Sequence, residues 1–217
     1  AMPIIYESSL KAALGTYAQD QWTIKRLTLN LGVRHEYLNA GVPPQSMPAG
    51  PFVPARSYGE IKDVVIWNDF LPRLGGAYDI FGNGKTAVKA TLNKYLNAEA
   101  SGASNAKNPT QTQVSYITRT WGDANGNYAA DCDLLNPDGN GECGAMSNVN
   151  FGTPVLSTQV DPAILSGWGK RAYNWEFSTS VQQELAQRVS LNVGYFRRFF
   201  GNFLVTDNRA AGPSDYS

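Results

Sequence analysis

The residues best suited to chemistry in this 217-residue sequence are oxygen donors crowded into one stretch. Asp123, Asn125, Asn127, Asp131 and Asp133 fall at relative positions one, three, five, nine and eleven. Calcium takes several hard oxygen ligands from a flexible segment, and this alternation would supply them, so calcium is the one cofactor that the residues suggest. The spacing departs from the EF-hand loop, which wants Gly at its sixth position and a bidentate Glu at its twelfth. Here Gly126 stands fourth and Leu134 twelfth. A second run of alternating oxygens, Asn136, Asp138, Asn140 and Glu142, lies inside the interval from Cys132 to Cys143. The competing reading of both runs is a turn-rich exposed loop whose Asn, Asp and Gly satisfy backbone geometry. The two cysteines are the only ones in the chain. Isolated in a polar segment, they are expected to pair as a disulfide in an oxidising compartment.

Catalytic chemistry is thinner. His35 is the only histidine and has no Ser or Cys motif beside it, so a structural role at a strand end is expected. Gly82-Asn83-Gly84-Lys85 lacks the spacing of a phosphate-binding loop, and its glycines are better explained by positive φ in a turn. Carboxylate pairs for glycoside hydrolysis could be drawn from Asp123, Asp131, Glu142 and Glu176, but any β-protein offers such pairs. No catalytic residue is assigned, and no enzyme is expected. Eighteen basic residues balance eighteen acidic ones, which leaves no electropositive surplus for nucleic acid.

The elements that would position these residues announce themselves by a period of two. Leu27, Leu29, Leu31, Val33, His35 and Tyr37 alternate with Thr28, Asn30, Gly32, Arg34 and Glu36, which puts apolar side chains on one face of a strand and polar ones on the other. Upstream, Leu14, Thr16, Ala18, Trp22 and Ile24 alternate less cleanly with Tyr17, Gln19, Gln21 and Thr23, and Lys25-Arg26 makes a tight connection between the two runs. Leu74 to Ile80 and Ala87 to Asn93 form a second pair around Asn83-Gly84, a strong hairpin signal. Tyr173 to Gln182 and Val189 to Tyr195 form a third. The prediction is an all-β fold of about six antiparallel up-and-down strands, with hairpins near 13–37, 70–96 and 173–199 and long loops over 39–68 and 97–171.

Loops of that length are uncommon in a compact soluble domain. Short turns at one end and long loops at the other are what a transmembrane β-barrel shows. The polar faces agree, being mostly Thr, Asn, Gln, Ser and Gly rather than the Lys and Glu that bulk water would favour, and this suits a wet lumen. Trp22, Tyr37, Tyr95, Tyr173, Trp175, Phe199 and Phe200 gather near strand ends, as interfacial girdles would. No window approaches the roughly 20 apolar residues of a spanning helix.

Several segments resemble the Oar-like TonB-dependent receptors: Tyr17-Ala18-Gln19-Asp20-Gln21-Trp22, then Leu27-Thr28-Leu29-Asn30-Leu31-Gly32-Val33-Arg34, Pro72-Arg73-Leu74-Gly75, Phe81-Gly82-Asn83-Gly84-Lys85-Thr86, and Asn192-Val193-Gly194-Tyr195-Phe196-Arg197-Arg198. The resemblance implies the middle section of a large outer-membrane barrel, with long loops extracellular and short turns periplasmic. It further implies ligand binding and uptake, with these partners: outer-membrane lipid, the remaining barrel strands, a plug domain, TonB acting through that plug, and an unknown extracellular ligand. A signal peptide, a TonB box, a plug and a closing strand are not recognisable in the sequence. Two other readings compete: a secreted soluble β-rich module binding calcium and carbohydrate through the loop from Asn97 to Arg171, and a hydrolase without recognisable motifs.

Overall fold

The structure, a computed structural model, describes residues 5–215. Six strands form the main sheet, in the spatial order β1 (Ser9–Ile24), β2 (Leu27–Val42), β5 (Ile61–Asp79), β6 (Thr86–Leu96), β8 (Tyr173–Ala186) and β9 (Val189–Gly201). A three-residue strand, β7 (Ser166–Trp168), adds to β5 beside this path. A separate two-stranded ribbon pairs β3 (Gln45–Met47) with β4 (Arg56–Tyr58) in antiparallel register. Two single-turn helices, α1 (Gly102–Asn105) and α2 (Pro162–Leu165), lie in the longest connection. The sheet is an open antiparallel meander, and among the described residues β1 and β9 do not meet to close it.

The described residues divide into two compact units. One comprises residues 5–13, Leu38–Ile66 and Glu99–Ser166, and the other Leu14–Tyr37, Trp67–Ala98 and 167–215.

In the first unit Leu38, Ala40, Val42, Val53, Val64 and Val65 form a small apolar core. Its companion is a buried polar network. The Asn108 side-chain oxygen accepts from the Gln45 amide at 3.1 Å and lies 2.8 Å from the Thr110 hydroxyl. The Asn108 amide donates to the Glu7 carbonyl at 2.8 Å, and the Gln45 oxygen accepts from the Glu7 N–H at 3.0 Å. A buried network with its donors and acceptors satisfied holds a segment in one arrangement without regular secondary structure. It ties Asn108 and Thr110, in the stretch after Asn97, to Glu7 and Gln45. The strands also run further than the alternation predicts: β2 continues to Val42 and β5 begins at Ile61, where the sequence suggests a loop over 39–68. The apolar alternation fails there because Ala40, Val42, Val64 and Val65 are buried among folded loop rather than on a two-faced sheet.

The second unit holds the two-faced part of the sheet. Leu74 pairs with Leu92, Tyr78 with Val88, and Val88 with Val181, which in turn faces Val193. The intervening residues pair among themselves: Gly75 with Thr91, Thr91 with Ser178, and Asn93 with Glu176, which faces Arg198. One face is therefore mostly apolar across four strands and the other mostly polar, as a side-chain period of two demands, with Phe196, opposite Ser178, and Phe200 as apolar exceptions on the polar face and Lys94 and Arg197 as charged ones on the apolar face. The apolar face is not covered: Val193 is 61% exposed, Tyr195 54% and Leu191 50%.

Three short turns share one end of this sheet. The Asp79 N–H donates to the Arg26 carbonyl at 3.0 Å, and the Glu184 N–H donates to the Lys85 carbonyl at 2.8 Å, so each turn leans on its neighbour. The middle turn is wider than the four residues from Phe81 to Gly84 that the sequence suggests. It spans Ile80 to Lys85, with positive φ at Gly82 and Gly84, and is organised by the carboxylate of Asp79, which accepts from the Gly82 N–H at 2.9 Å and the Gly84 N–H at 2.8 Å. The positive φ of Gly82 favours glycine there, while the Arg26 guanidinium that a Cβ would meet at 2.6 Å from Nε is the end of a flexible side chain that could move aside.

The hydrogen bond from the Gly84 N–H is the largest influence on the Asp79 carboxyl, and with those from Gly82 and Phe81 and the charge of Arg26 it outweighs the opposing effect of desolvation and holds the group below the ordinary value of 3.8. A carboxylate whose folded pKa is depressed contributes stability that is present above the unfolded pKa and lost as pH falls through the folded one. The turn is thus expected to stay closed at pH 3.8, where an unperturbed Asp would be half protonated. Amide shifts of Gly82 and Gly84 followed through an acid titration in detergent micelles check this. A midpoint at or above the ordinary Asp value would contradict it.

Candidate functional site

Two regions have the geometry of a site, one on the polar face of the sheet and one in the loop-rich unit. The polar face places charged residues where a small-residue surface makes room for them. A Cβ on Gly15 would collide with the Arg34 guanidinium, and one on Gly32 would lie 3.3 Å from Cβ of Arg73. These two glycines let Arg34 and Arg73 lie flat along the sheet. The Arg73 guanidinium stacks over the Tyr95 ring, 3.8 Å from its centroid. Further along the same face, the Thr91 and Ser178 hydroxyls are 2.7 Å apart, the Lys89 ammonium donates to the Gln182 oxygen at 3.0 Å, and Arg198 pairs with Glu176.

At the loop end of this face sits a buried charge cluster. Arg171 donates through Nη2 to Glu36 at 2.6 Å and through Nε to Asp69 at 2.9 Å, and Glu36 also accepts from Nε of Arg34 at 2.9 Å. The Asp69 side chain is 0% exposed and that of Arg171 6%. One oxygen of Asp69, Oδ1, has no hydrogen-bond partner among the described residues. Arg171 is itself held in place, because Asn202 donates to its carbonyl at 3.1 Å and to that of Gly169 at 2.7 Å. The cluster joins β2 and β5 to the chain as it enters β8.

The apolar face carries an aromatic group at the same end. His35, Phe70 and Trp168 form a triangle with centroids 5.1–5.6 Å apart, and the His35 ring nitrogen Nε2 lies 3.2 Å from the Asn68 oxygen. His35 thus has a packing role, but in the interior of β2, which runs on to Val42, and not at the strand end that the sequence suggests. Of the seven aromatic residues expected at interfaces, Trp175 and Phe199 face each other on this side, whereas Tyr95 and Phe200 both pair with Asn174 and so belong to the polar face. Position near a strand end cannot distinguish faces; only parity within the strand can.

In the loop-rich unit a cavity of about 580 Å3 is walled by Pro44, Met47, Pro48, Pro51, Phe52, Val53 and Phe151, with Glu7 and Arg56 supplying its charges. The Arg56 guanidinium is positioned by the Gln113 oxygen at 3.0 Å and the Gly152 carbonyl at 3.3 Å. Proline-dense sequence signals a loop, and nothing in its pattern reveals that the prolines enclose a space.

The oxygen-rich segment is arranged around its own backbone. Asp123 accepts from the N–H groups of Gly126, Asn127 and Tyr128, and Asp131 from the side-chain amides of Asn125 at 2.6 Å and Asn127 at 2.9 Å. Asp133 caps the Leu135 N–H at 2.9 Å. Glu142 accepts from Ala124 at 2.8 Å. The structure therefore brings Asp123, Asn125, Asn127 and Asp131 together through turns and carries Asp133 to a neighbouring one. Among the described residues no three His, Cys, Asp or Glu side chains group to hold a metal ion. Cys132 and Cys143 are joined by a disulfide, with Cα atoms 5.9 Å apart. Beside it the Arg119 guanidinium donates to the carbonyls of Gly144, Asn136 and Asp138 at 2.8, 3.3 and 3.1 Å.

Removing Arg171 would leave the buried Asp69 as an uncompensated carboxylate and Glu36 with Arg34 alone, and breaking a buried pair in this way costs about 3–5 kcal/mol. Arg171→Leu is expected to lose that much in a urea unfolding series in lipid vesicles, and Arg171→Leu combined with Asp69→Asn to recover part of it. Equal stability of the single variant and the parent would show that the cluster holds nothing. Closing a loop with a sequence separation of 11 stabilises by roughly 3 kcal/mol in the chain-entropy model. Maleimide labelling of the unreduced protein should find no free thiol; two labelled thiols would exclude the bridge.

Residues 6–199 match the family described as outer membrane beta barrel domain. No curated protein and no solved structure matches the chain.

Proposed function

The chain belongs to the outer membrane beta barrel domain family, and from that premise we propose that it forms part of the wall of a TonB-dependent receptor, which binds a ligand outside the cell and carries it across the outer membrane. The observation that carries this reading is the uncovered apolar face set against a polar face rich in paired charges. In lipid, only a sheet that satisfies its backbone groups through neighbouring strands can span, and its side chains must then alternate between lipid and lumen. The apolar face on β5 runs from Phe70 to Tyr78, within the roughly 9–11 residues that a tilted strand uses to cross. This leaves the Asp79 turn outside the membrane.

In this reading the short turns are periplasmic and the long connections extracellular. The exposed backbone edges of β1 and β9 pair with further barrel strands. The polar face, with Arg73, Lys89, Glu176 and Arg198, lies against a plug domain on which TonB acts. The cavity between Met47, Phe52, Val53 and Phe151 is a seat for part of the extracellular ligand, its walls selecting an apolar group and Arg56 a polar end. The receptor assignment itself leans on the sequence resemblance; the two-faced sheet supports the barrel.

Two measurements test it. Leu31→Lys should cost about 2–4 kcal/mol in a folding titration into lipid vesicles if Leu31 sits near the bilayer midplane, whereas Asn30→Lys should cost far less. Equal costs would remove the lipid-facing wall. A photo-crosslinking residue at Ser178 in the full-length protein should capture plug-domain peptides of the same polypeptide. Capture of lipid, or of nothing, would leave a barrel but not a plugged receptor.

A further inference from the structure

The apolar face carries two cations that its other residues do not explain. Lys94 stands on β6 opposite Trp175 of β8, and Arg197 on β9 opposite Phe177 of the same strand, so both share the face of Val88, Leu92, Val181 and Val193. Across β5, β6, β8 and β9 that face holds no carboxylate: the acidic residues of these strands within the two-faced region, Asp69, Asp79 and Glu176, have the opposite parity, and Glu184 lies at the turn-end bulge. Among the described residues neither Lys94 nor Arg197 forms a salt bridge. Both extend in one direction. The Lys94 ammonium lies 4.5 Å from the ring centroid of Tyr173, one rung nearer the loop end than its own partner Trp175. The Arg197 guanidinium lies 4.9 Å from the centroid of Phe199, again one rung nearer the loop end.

A cation on a lipid-facing surface extends its apolar stem along the wall until its head reaches the polar interface, and an aromatic ring beneath the head steadies it. Lys94 and Arg197 follow that path: the Lys94 head reaches the Tyr173 ring on β8, one rung beyond Trp175, and the Arg197 head reaches the Phe199 ring on β9, opposite Trp175. The two heads therefore stand over aromatic rings of adjacent strands beside Trp175, in a patch that carries positive charge only.

We propose that this patch binds the phosphate-bearing headgroup of an anionic lipid in the leaflet at the loop end, with Lys94 and Arg197, steadied over Tyr173 and Phe199, meeting phosphate oxygens and the Trp175 ring lying beside the headgroup. The inference rests on the apolar face being the lipid-facing one. Free phosphate would meet the same cations but gain nothing from the aromatic rings, so the lipid is the occupant that the geometry favours. Arg can engage phosphate bidentately and Lys acts as a point charge, so the two sites are not equivalent.

The full-length protein is reconstituted into vesicles of phosphatidylcholine with and without phosphatidic acid, extracted, and examined by native mass spectrometry for retained lipid. Retention of phosphatidic acid over phosphatidylcholine is expected, with a loss of roughly tenfold or more in Lys94→Gln/Arg197→Gln, since each basic residue near an anionic surface contributes measurably to attraction. Lys94→Arg/Arg197→Lys should keep the preference. If the glutamine double variant does not fold, Lys94→Gln and Arg197→Gln taken singly should each lose part of it. Equal retention by parent and variant would overturn the proposal, as would displacement of the lipid by excess inorganic phosphate. Quenching of Trp175 fluorescence by lipids brominated near the headgroup separates the two levels of the argument. Quenching without selective retention defeats the lipid site alone; absence of quenching defeats the lipid-facing wall and the site with it.

Discussion

The constraint on which everything else depends is that a strand has only two sides. Once Leu29 and Leu31 are committed to one side of β2, Asn30, Gly32 and Arg34 must take the other, and a register slip of one residue on any strand would exchange the two sets. Pairing then propagates that choice. Leu92 faces Leu74 on one flank and Phe177 on the other, and Phe177 faces Arg197, so the sidedness of one strand fixes that of its neighbours. Arg197, like Lys94, is a residue that parity forces onto the wrong side, and its guanidinium is directed along the wall toward Phe199 in response.

The polar side meets a different difficulty, that of placing large charged groups close to a backbone. Glycine resolves it by omission: Gly15 and Gly32 vacate the space that Arg34 and Arg73 occupy. At the loop end three charges are withdrawn from water instead. There Arg171 supports both Glu36 and Asp69, and the geometry of a guanidinium fork makes that double pairing possible. The unpartnered Oδ1 of Asp69 is the one acceptor of the group left over.

The strands were legible because alternation is a local property. Leu27 to Tyr37 shows it over eleven residues with no other information needed, and β6, β8, β9 and the turn-side parts of β2 and β5 lie where the pattern put a strand, whereas the outer parts of β2 and β5 fall in the expected loop. The disulfide between Cys132 and Cys143 was legible for a similar reason, since two isolated cysteines have one possible partner each. Arg171 was not. It reads as the last residue of a loop, and its partners lie 102 and 135 positions away, a distance that no spacing rule reaches. Asn108, Thr110 and Gln45 were missed for the opposite reason: they are residues usually found at the surface, and their burial becomes tolerable only through one another. The true form of the middle turn was hidden too, because Asn83-Gly84 is a sufficient turn signal by itself and draws attention from Asp79, whose carboxylate does the organising.

The longest excursion of the chain leaves β6 and returns to β8 at nearly the same place, where the Asn97 N–H donates to the Ala172 carbonyl at 2.9 Å. Everything between those two residues is, in topological terms, a ring clipped shut at its base. The entropic cost of closing such a ring grows only with the logarithm of its length. Apart from Asn108, Thr110 and β7, which are tied to Gln45, Glu7 and β5, its contents can accordingly be lengthened or shortened while the clip and the Arg171 pairs keep the rim in register. A wall built this way is a chassis: it lets descent with modification rewrite what the molecule recognises without reopening the question of how it stands up.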